Sequence, residues 1–298
     1  MGNLMIGGVL PPMVTPFTAE GGVDYAKHLR NLEKWNGRRL TGYLVLGSNS
    51  EAVYLSEEEK ARLIAATVAH AAPDRLILAG TGMESARETI RLTNQAAELG
   101  AAAGLVLTPF YYFDHMTDDA LLAYYSLVAD RADIPVLIYN VPKFTHQNVS
   151  LRVVRELCRH PNIVGMKDSS GNVAQLAAFL RVVPPDWNLL VGTAAAWFPA
   201  LTLGVRGTIA ALANCLPDEC AQIQEAFSAG DLDQARETYL RILPVNTAVT
   251  ATYGIAGLKW ALDLLCYQGG AVRNPLLPLT PEGKTAMETI LRNAGVLH

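Results

Sequence analysis

The stretch IVGMKDSSG, Ile163 to Gly171, places one lysine at the end of a short apolar run. A neutral amine there is a nucleophile: it attacks a ketone carbon, water leaves, and a Schiff base remains. The obstacle is protonation. A free lysine has a pKa of about 10.4, so about one in 2,500 is neutral at pH 7, and an apolar site raises that fraction. A strand-end lysine that reaches solvent or pairs with an acid fits the same window. The chain has seven lysines. Lys60 reads as part of a capped helix face, Lys259 as part of the C-terminal helices, and Lys143 as a loop charge after Pro142. Only Lys167 ends a run that reads as a central strand.

Tyr139 closes the preceding apolar run, VLIY. A phenol beside an amine can relay protons to and from a carbinolamine oxygen. It can equally pack its ring and send its hydroxyl to solvent. In GSNSE, Gly47 to Glu51, the backbone amides and the Ser48 hydroxyl suit a carboxylate, and they also suit an ordinary polar loop. Tyr111 and Tyr112, in TPFYY, either reach a site or cap the fold.

These residues need elements to position them. The runs 8–15, 42–47, 76–80, 104–108, 135–140, 163–167, 188–192 and 207–211 are almost wholly apolar rather than alternating, which fits strands buried on both faces of a parallel sheet. Amphipathic helical segments lie between them. Ser56 with Glu59 three residues on forms a capping-box pattern, Ser85 to Leu99 ends at Gly100, and Thr117 precedes two aspartates. Strand and helix alternate to about residue 228, which predicts a (β/α)8 TIM barrel whose chemistry sits at the C-terminal ends of the strands. A doubly wound sheet would want a glycine-rich phosphate loop after the first strand, where GVLPPMVTPFT has prolines. The expected division is a barrel over residues 1–228 and a three-helix extension packed on it over 229–298.

The bulk numbers narrow the partners. The chain has 298 residues, 50% of them hydrophobic, and a formal net charge of −4 with no basic cluster, so nucleic acid is excluded as a partner class. No apolar run approaches the roughly 18–20 residues that span a membrane. The first residues lack a positive segment, so no secretory signal is expected. None of the four cysteines forms a C-x-x-C pair, the six histidines are scattered, and the expectation is a cytoplasmic protein with reduced thiols and no metal site.

Taken together, GVLPPMVTPF, GSNSE, TPFYY, YNVP and GMKDSSG, in this order and at barrel spacing, resemble the pyruvate-dependent class I aldolase family. That family includes dihydrodipicolinate synthase, N-acetylneuraminate lyase and 4-hydroxy-2-oxoglutarate aldolase. The resemblance implies a barrel with a C-terminal helical extension, usually a homotetramer built as a dimer of dimers. It implies an imine between Lys167 and pyruvate or a pyruvoyl unit, with Tyr139 as the proton relay. By the same resemblance Ser48 and Asn49 hold the pyruvate carboxylate, Tyr111 extends across a subunit interface, and the Ile209 backbone lies against pyruvate. No cofactor is expected, because the imine is itself the electron sink.

Two positions depart from the family pattern. Phe144 stands where the synthases carry an arginine that pairs with the second substrate's carboxylate. Ser50 stands where most members have glycine, which raises the question of a positive φ there. The S-N pair, TPFYY, GMKDS and the tail GIAGLKWALDLLCYQGGAVRNPL are similar to the 4-hydroxy-2-oxoglutarate aldolase branch, in which Ser169 and Asn49 would contact a distal carboxylate. Without the resemblance, Ser169 reads as a helix N-cap. The expected reaction is cleavage of 4-hydroxy-2-oxoglutarate or a similar hydroxy-oxo-acid to pyruvate and an aldehyde. The alternatives are dihydrodipicolinate synthase, which condenses pyruvate with aspartate semialdehyde, and a non-catalytic oxo-acid-binding protein.

Overall fold

The computed structural model describes residues 4–297. Eight parallel strands run β1 (Gly8–Leu10), β2 (Gly42–Val45), β3 (Leu76–Gly80), β4 (Ala103–Leu107), β5 (Val136–Asn140), β6 (Ile163–Asp168), β7 (Asn188–Val191) and β8 (Gly207–Ile209). Their order in the sheet is β1-β8-β7-β6-β5-β4-β3-β2, every paired neighbour parallel, with helices in between. This is the (β/α)8 barrel that the apolar runs predict.

The seam between β1 and β2 is held by a few bonds rather than a ladder. Thr41 N–H donates to Val9 O, Leu44 N–H to Pro11 O and Met13 N–H to Leu44 O. The sequence suggests a strand over 8–15, yet β1 stops at Leu10. Pro11 and Pro12 have no N–H to donate, so a ladder cannot continue through them. The Asn214 side chain takes over: its amide donates to Pro12 O at 3.0 Å and accepts from Val14 N–H at 3.2 Å.

Inward side chains such as Leu10, Leu44, Leu78, Leu137, Leu190 and Ile209 fill the barrel, and Tyr139 belongs to this interior cluster. The helix signals hold. Ser56 and Glu59 form a reciprocal capping box before Glu57–His70, Ser85 caps Ala86–Glu98, and Thr117 caps Asp118–Arg131. Past the barrel lie helices Leu232–Thr247, Gly254–Leu264 and Pro281–Asn293, where helical patterns were expected. Among the described residues, no helix is long and apolar enough to cross a membrane.

Candidate active site

Strands β5 and β6 bring the two principal candidates together. Tyr139 and Lys167 are direct register partners near the strand ends. Both are buried, and Lys167 Nζ lies 4.3 Å from the centroid of the Tyr139 ring. The Tyr139 hydroxyl is 3.2 Å from Ser48 Oγ, so a phenol, a serine and a lysine converge from β5, the β2 loop and β6. On the opposite face of the same two strands, Asn140 pairs with Asp168 and its side-chain amide donates to Asp168 Oδ1 at 2.6 Å. Burial pushes the Asp168 carboxyl above the usual carboxylate range, against the pull of donors on Ser170 and Asn140.

Three lysines of this chain are buried, and their surroundings separate them. Lys259 Nζ donates to Thr15 O at 2.7 Å and Ala271 O at 2.6 Å, and sits 2.5 Å from Glu51 Oε1. Burial draws its pKa down to about 8, but two backbone carbonyls accept from it and the Glu51 carboxylate pairs with it, which favours the ammonium, a form with no lone pair to offer a carbonyl. Lys60 is pushed below the usual lysine range by burial, and its Nζ lies 3.9 Å from Met83 Sδ. It projects from a helix rather than a strand end. Lys167 has no hydrogen bond or carboxylate contact among the described residues, only the Tyr139 ring. Of the three buried amines it is the one with no hydrogen-bond acceptor. Sequence reading treated Lys60 as a face residue, although Lys60, Leu63, Ile64 and Thr67 at i, i+3, i+4 and i+7 form the helix's buried stripe.

The Ser48–Ser50 turn follows β2 after Leu46 and Gly47. Ser48 and Asn49 are half-buried at its start. Ser50 does not have a positive φ; the left-handed residues are Leu46 and Glu51, on either side of the turn. The Ser50 hydroxyl instead donates to Met13 O at 2.5 Å, so serine fits in place of glycine and fastens the turn to the β1 loop.

Ser169 corrects an expectation. The helix Val173–Leu180 is capped by Asn172, not by Ser169. The Ser169 hydroxyl is buried with no hydrogen-bond partner. It lies against Gly192, a residue that sequence reading passed over as the last of a strand run. A Cβ on Gly192 would stand 1.7 Å from Ser169 Oγ and 2.9 Å from Lys167 Cε, so only glycine leaves room for both side chains. Ile209 ends β8, fully buried in the barrel interior.

A cavity of about 470 Å³ opens beside this group, lined by Ser48, Tyr139, Phe144, Lys60 and Glu84 among others. Lys167 is not among its lining residues, and Tyr139 joins the cavity to the amine. Phe144 faces the cavity, whereas Lys143 sends its Nζ to Thr250 O at 2.7 Å and does not line it. Tyr111 is not brought to the group within one chain. It is 73% exposed, packed edge-on against Tyr112, and its backbone N–H donates to Glu84 at 3.0 Å. Among the described residues, no three His, Cys, Asp or Glu side chains converge where they could hold a metal ion.

Comparison with known proteins places this geometry. The model of the dihydrodipicolinate synthetase family matches residues 5–294. A 4-hydroxy-tetrahydrodipicolinate synthase of Methanococcoides burtonii is 31% identical over 295 residues, covering 99% of this chain and 100% of that protein. Its counterpart from Methanosphaerula palustris is 34% identical over 294 residues, covering 96% and 99%. The solved structure of a chloride-inhibited dihydrodipicolinate synthase from Acinetobacter baumannii, complexed with pyruvate, superposes with a TM-score of 0.93 at 29% identity, covering 99% of this chain and 100% of that one. None of these is a 4-hydroxy-2-oxoglutarate aldolase, so they support the synthase alternative above the branch that the sequence motifs suggested. An open lysine at the end of β6, a tyrosine in register beside it and a match along nearly the whole chain agree: this chain is a carbon–carbon lyase of the dihydrodipicolinate synthetase family.

Proposed function

We propose that Lys167 forms an imine with the ketone of pyruvate and that the enzyme makes or breaks the carbon–carbon bond next to that imine. The observation that carries this reading is the pairing of an otherwise unpartnered Lys167 Nζ with the Tyr139 ring. The neutral amine adds to the carbonyl carbon, one proton passes from the nitrogen to the former carbonyl oxygen, and a second proton on that oxygen lets it leave as water, giving the protonated imine. Loss of a C3 proton gives an enamine, which attacks an aldehyde carbon; the reverse sequence cleaves the bond. Tyr139, linked to Ser48, supplies and removes the protons. Ser48 and Asn49 hold the carboxylate through hydroxyl and backbone N–H groups, with Ile209 below the bound acid. Tyr111, exposed on one protomer, serves the neighbour's site in a homotetramer.

For the second substrate, the names of the relatives favour aspartate semialdehyde, the condensation of a 4-hydroxy-tetrahydrodipicolinate synthase. One observation favours cleavage of a hydroxy-oxo-acid instead. The cavity wall carries Phe144, and a phenyl ring cannot pair with a carboxylate, while the unpartnered Ser169 hydroxyl can donate to one.

Borohydride reduction in the presence of pyruvate, followed by peptide mass spectrometry, tests the shared chemistry. A pyruvyl adduct on Lys167 is expected; an adduct on Lys60 or Lys259, or none, overturns it. Turnover with pyruvate plus aspartate semialdehyde, set against turnover with 4-hydroxy-2-oxoglutarate, then decides the second substrate.

A further inference from the structure

The turn that offers Ser48 and Asn49 is tied to a C-terminal helix and the loop that follows it through a buried charge cluster. Glu51, the residue just after the turn, is fully buried and holds a left-handed φ of 54°. A non-glycine residue in that region is strained and persists only where its surroundings hold it. Here both carboxylate oxygens are held from the far end of the chain. Oε1 lies 2.5 Å from Lys259 Nζ, and Oε2 accepts from the Arg273 backbone N–H at 2.8 Å. Lys259 also holds Thr15 O, in the β1 loop. The Arg273 guanidinium forks onto both oxygens of Glu59 at 2.6 and 2.7 Å and donates to Tyr54 O at 2.8 Å, so it clamps the segment that continues from the turn.

We infer that Lys259 and Arg273, acting through Glu51, are positioning residues for the carboxylate-holding turn, so that a C-terminal helix and the loop that follows it set the affinity of the barrel site for its oxo-acid. This rests on the reading that Ser48 and Asn49 grip the pyruvate carboxylate. A buried ion pair is a poor device for stability alone, since apolar residues of similar volume commonly serve as well. Its use here is geometric: a short, doubly held carboxylate fixes a strained φ next to two ligand-binding residues. Neither Lys259 nor Arg273 touches the substrate, and their substitution should leave the chemistry at Lys167 intact.

The test is the pyruvate concentration that gives half-maximal borohydride trapping on Lys167, measured for wild type, Ser48→Ala, Glu51→Gln and the double variant Glu51→Gln/Lys259→Met. Glu51→Gln keeps the shape, and the double variant removes both charges together, which keeps a folded protein to measure. The expected result is a rise of about tenfold or more in the half-saturating concentration for Ser48→Ala and for both Glu51 variants, with the maximal adduct yield of the two Glu51 variants at saturation within about twofold of wild type. A lower melting temperature with unchanged half-saturation in the Glu51 variants would show a merely structural cluster and overturn the inference, leaving the Ser48 reading standing. Unchanged half-saturation in Ser48→Ala would overturn that reading and this inference with it.

Discussion

Lys167 and Tyr139 stand opposite each other in the β5–β6 register, with the lysine nitrogen 4.3 Å from the tyrosine ring centroid. The ring face attracts the ammonium, while the hydroxyl at its edge points to Ser48. One side chain therefore packs against the amine and, in the proposed mechanism, carries the proton-relay group. Replacing Lys167 by alanine is expected to remove the trapped pyruvyl adduct and to lower kcat by about 10³-fold or more, while Lys60→Ala keeps the adduct. Retention of near-wild-type turnover in Lys167→Ala would end the imine proposal.

Tyr139→Phe keeps the ring under the lysine and removes only the hydroxyl. Turnover should fall about 10²–10⁴-fold, the usual share of a positioned proton donor. Its melting temperature should stay close to wild type, because the lost bond to Ser48 lies at the partly buried edge of the site. Single-turnover trapping kinetics would show slower imine formation. An unchanged rate would move the relay to another group.

Gly192→Ala tests the packing around the amine. The added methyl would overlap the Ser169 hydroxyl and press on Lys167 Cε. Overpacking of this kind costs about 1–3 kcal/mol in stability, and a displacement of about 1 Å at a reacting group costs about 100-fold in rate. Adding Ser169→Gly removes the nearest clash and should recover part of the stability, measured by urea unfolding. Full activity in the single variant would show that Lys167 has freedom to move.

Phe144→Arg places a guanidinium on the cavity wall. If the ring excludes a carboxylate there, kcat/KM with aspartate semialdehyde should rise about tenfold or more, as for a new charge-assisted pair. A wild-type enzyme already adapted to that aldehyde would gain less than about threefold, and assays of both proteins side by side separate the two cases.

His28 supplies a pH dependence apart from the chemistry. It is buried with Nε2 3.0 Å from Thr67 Oγ1, and burial pulls its pKa down to about 4. The unfolded chain titrates near 6.5. Between these values the unfolded state binds a proton that the folded state refuses. Stability is thus full above pH 6.5 and falls as the pH drops toward 4, by about 3 kcal/mol in all. In urea unfolding, His28→Gln should lose that part of the slope. Parallel pH curves for the two proteins would contradict the assignment.

Much of this protein is legible in its sequence, because the physics involved is local. Apolar runs such as LILAG and VLIYN cannot face water on either side, so they specify a doubly covered parallel sheet. Ser56 with Glu59 caps its helix by short-range bonding, and the end of an apolar run marks Lys167 as a strand-end amine. What needed tertiary structure were properties that depend on distant neighbours. Lys60, Lys167 and Lys259 are all buried, and only the three-dimensional surroundings show that Lys259 donates to the carbonyls of residues 15 and 271 and pairs with Glu51 while Lys167 has no such partner. Ser169 resembles a helix cap in sequence and becomes an unpartnered hydroxyl because Asn172 takes the cap. The two prolines that end β1 stand in the sequence, but that Asn214, some two hundred residues away, satisfies the backbone around Pro12 is visible only in the fold. Local sequence sets which elements form and where they end, but the reactivity of a side chain is set by which partners fill its hydrogen-bonding capacity. In a closed barrel those partners come from the whole length of the chain.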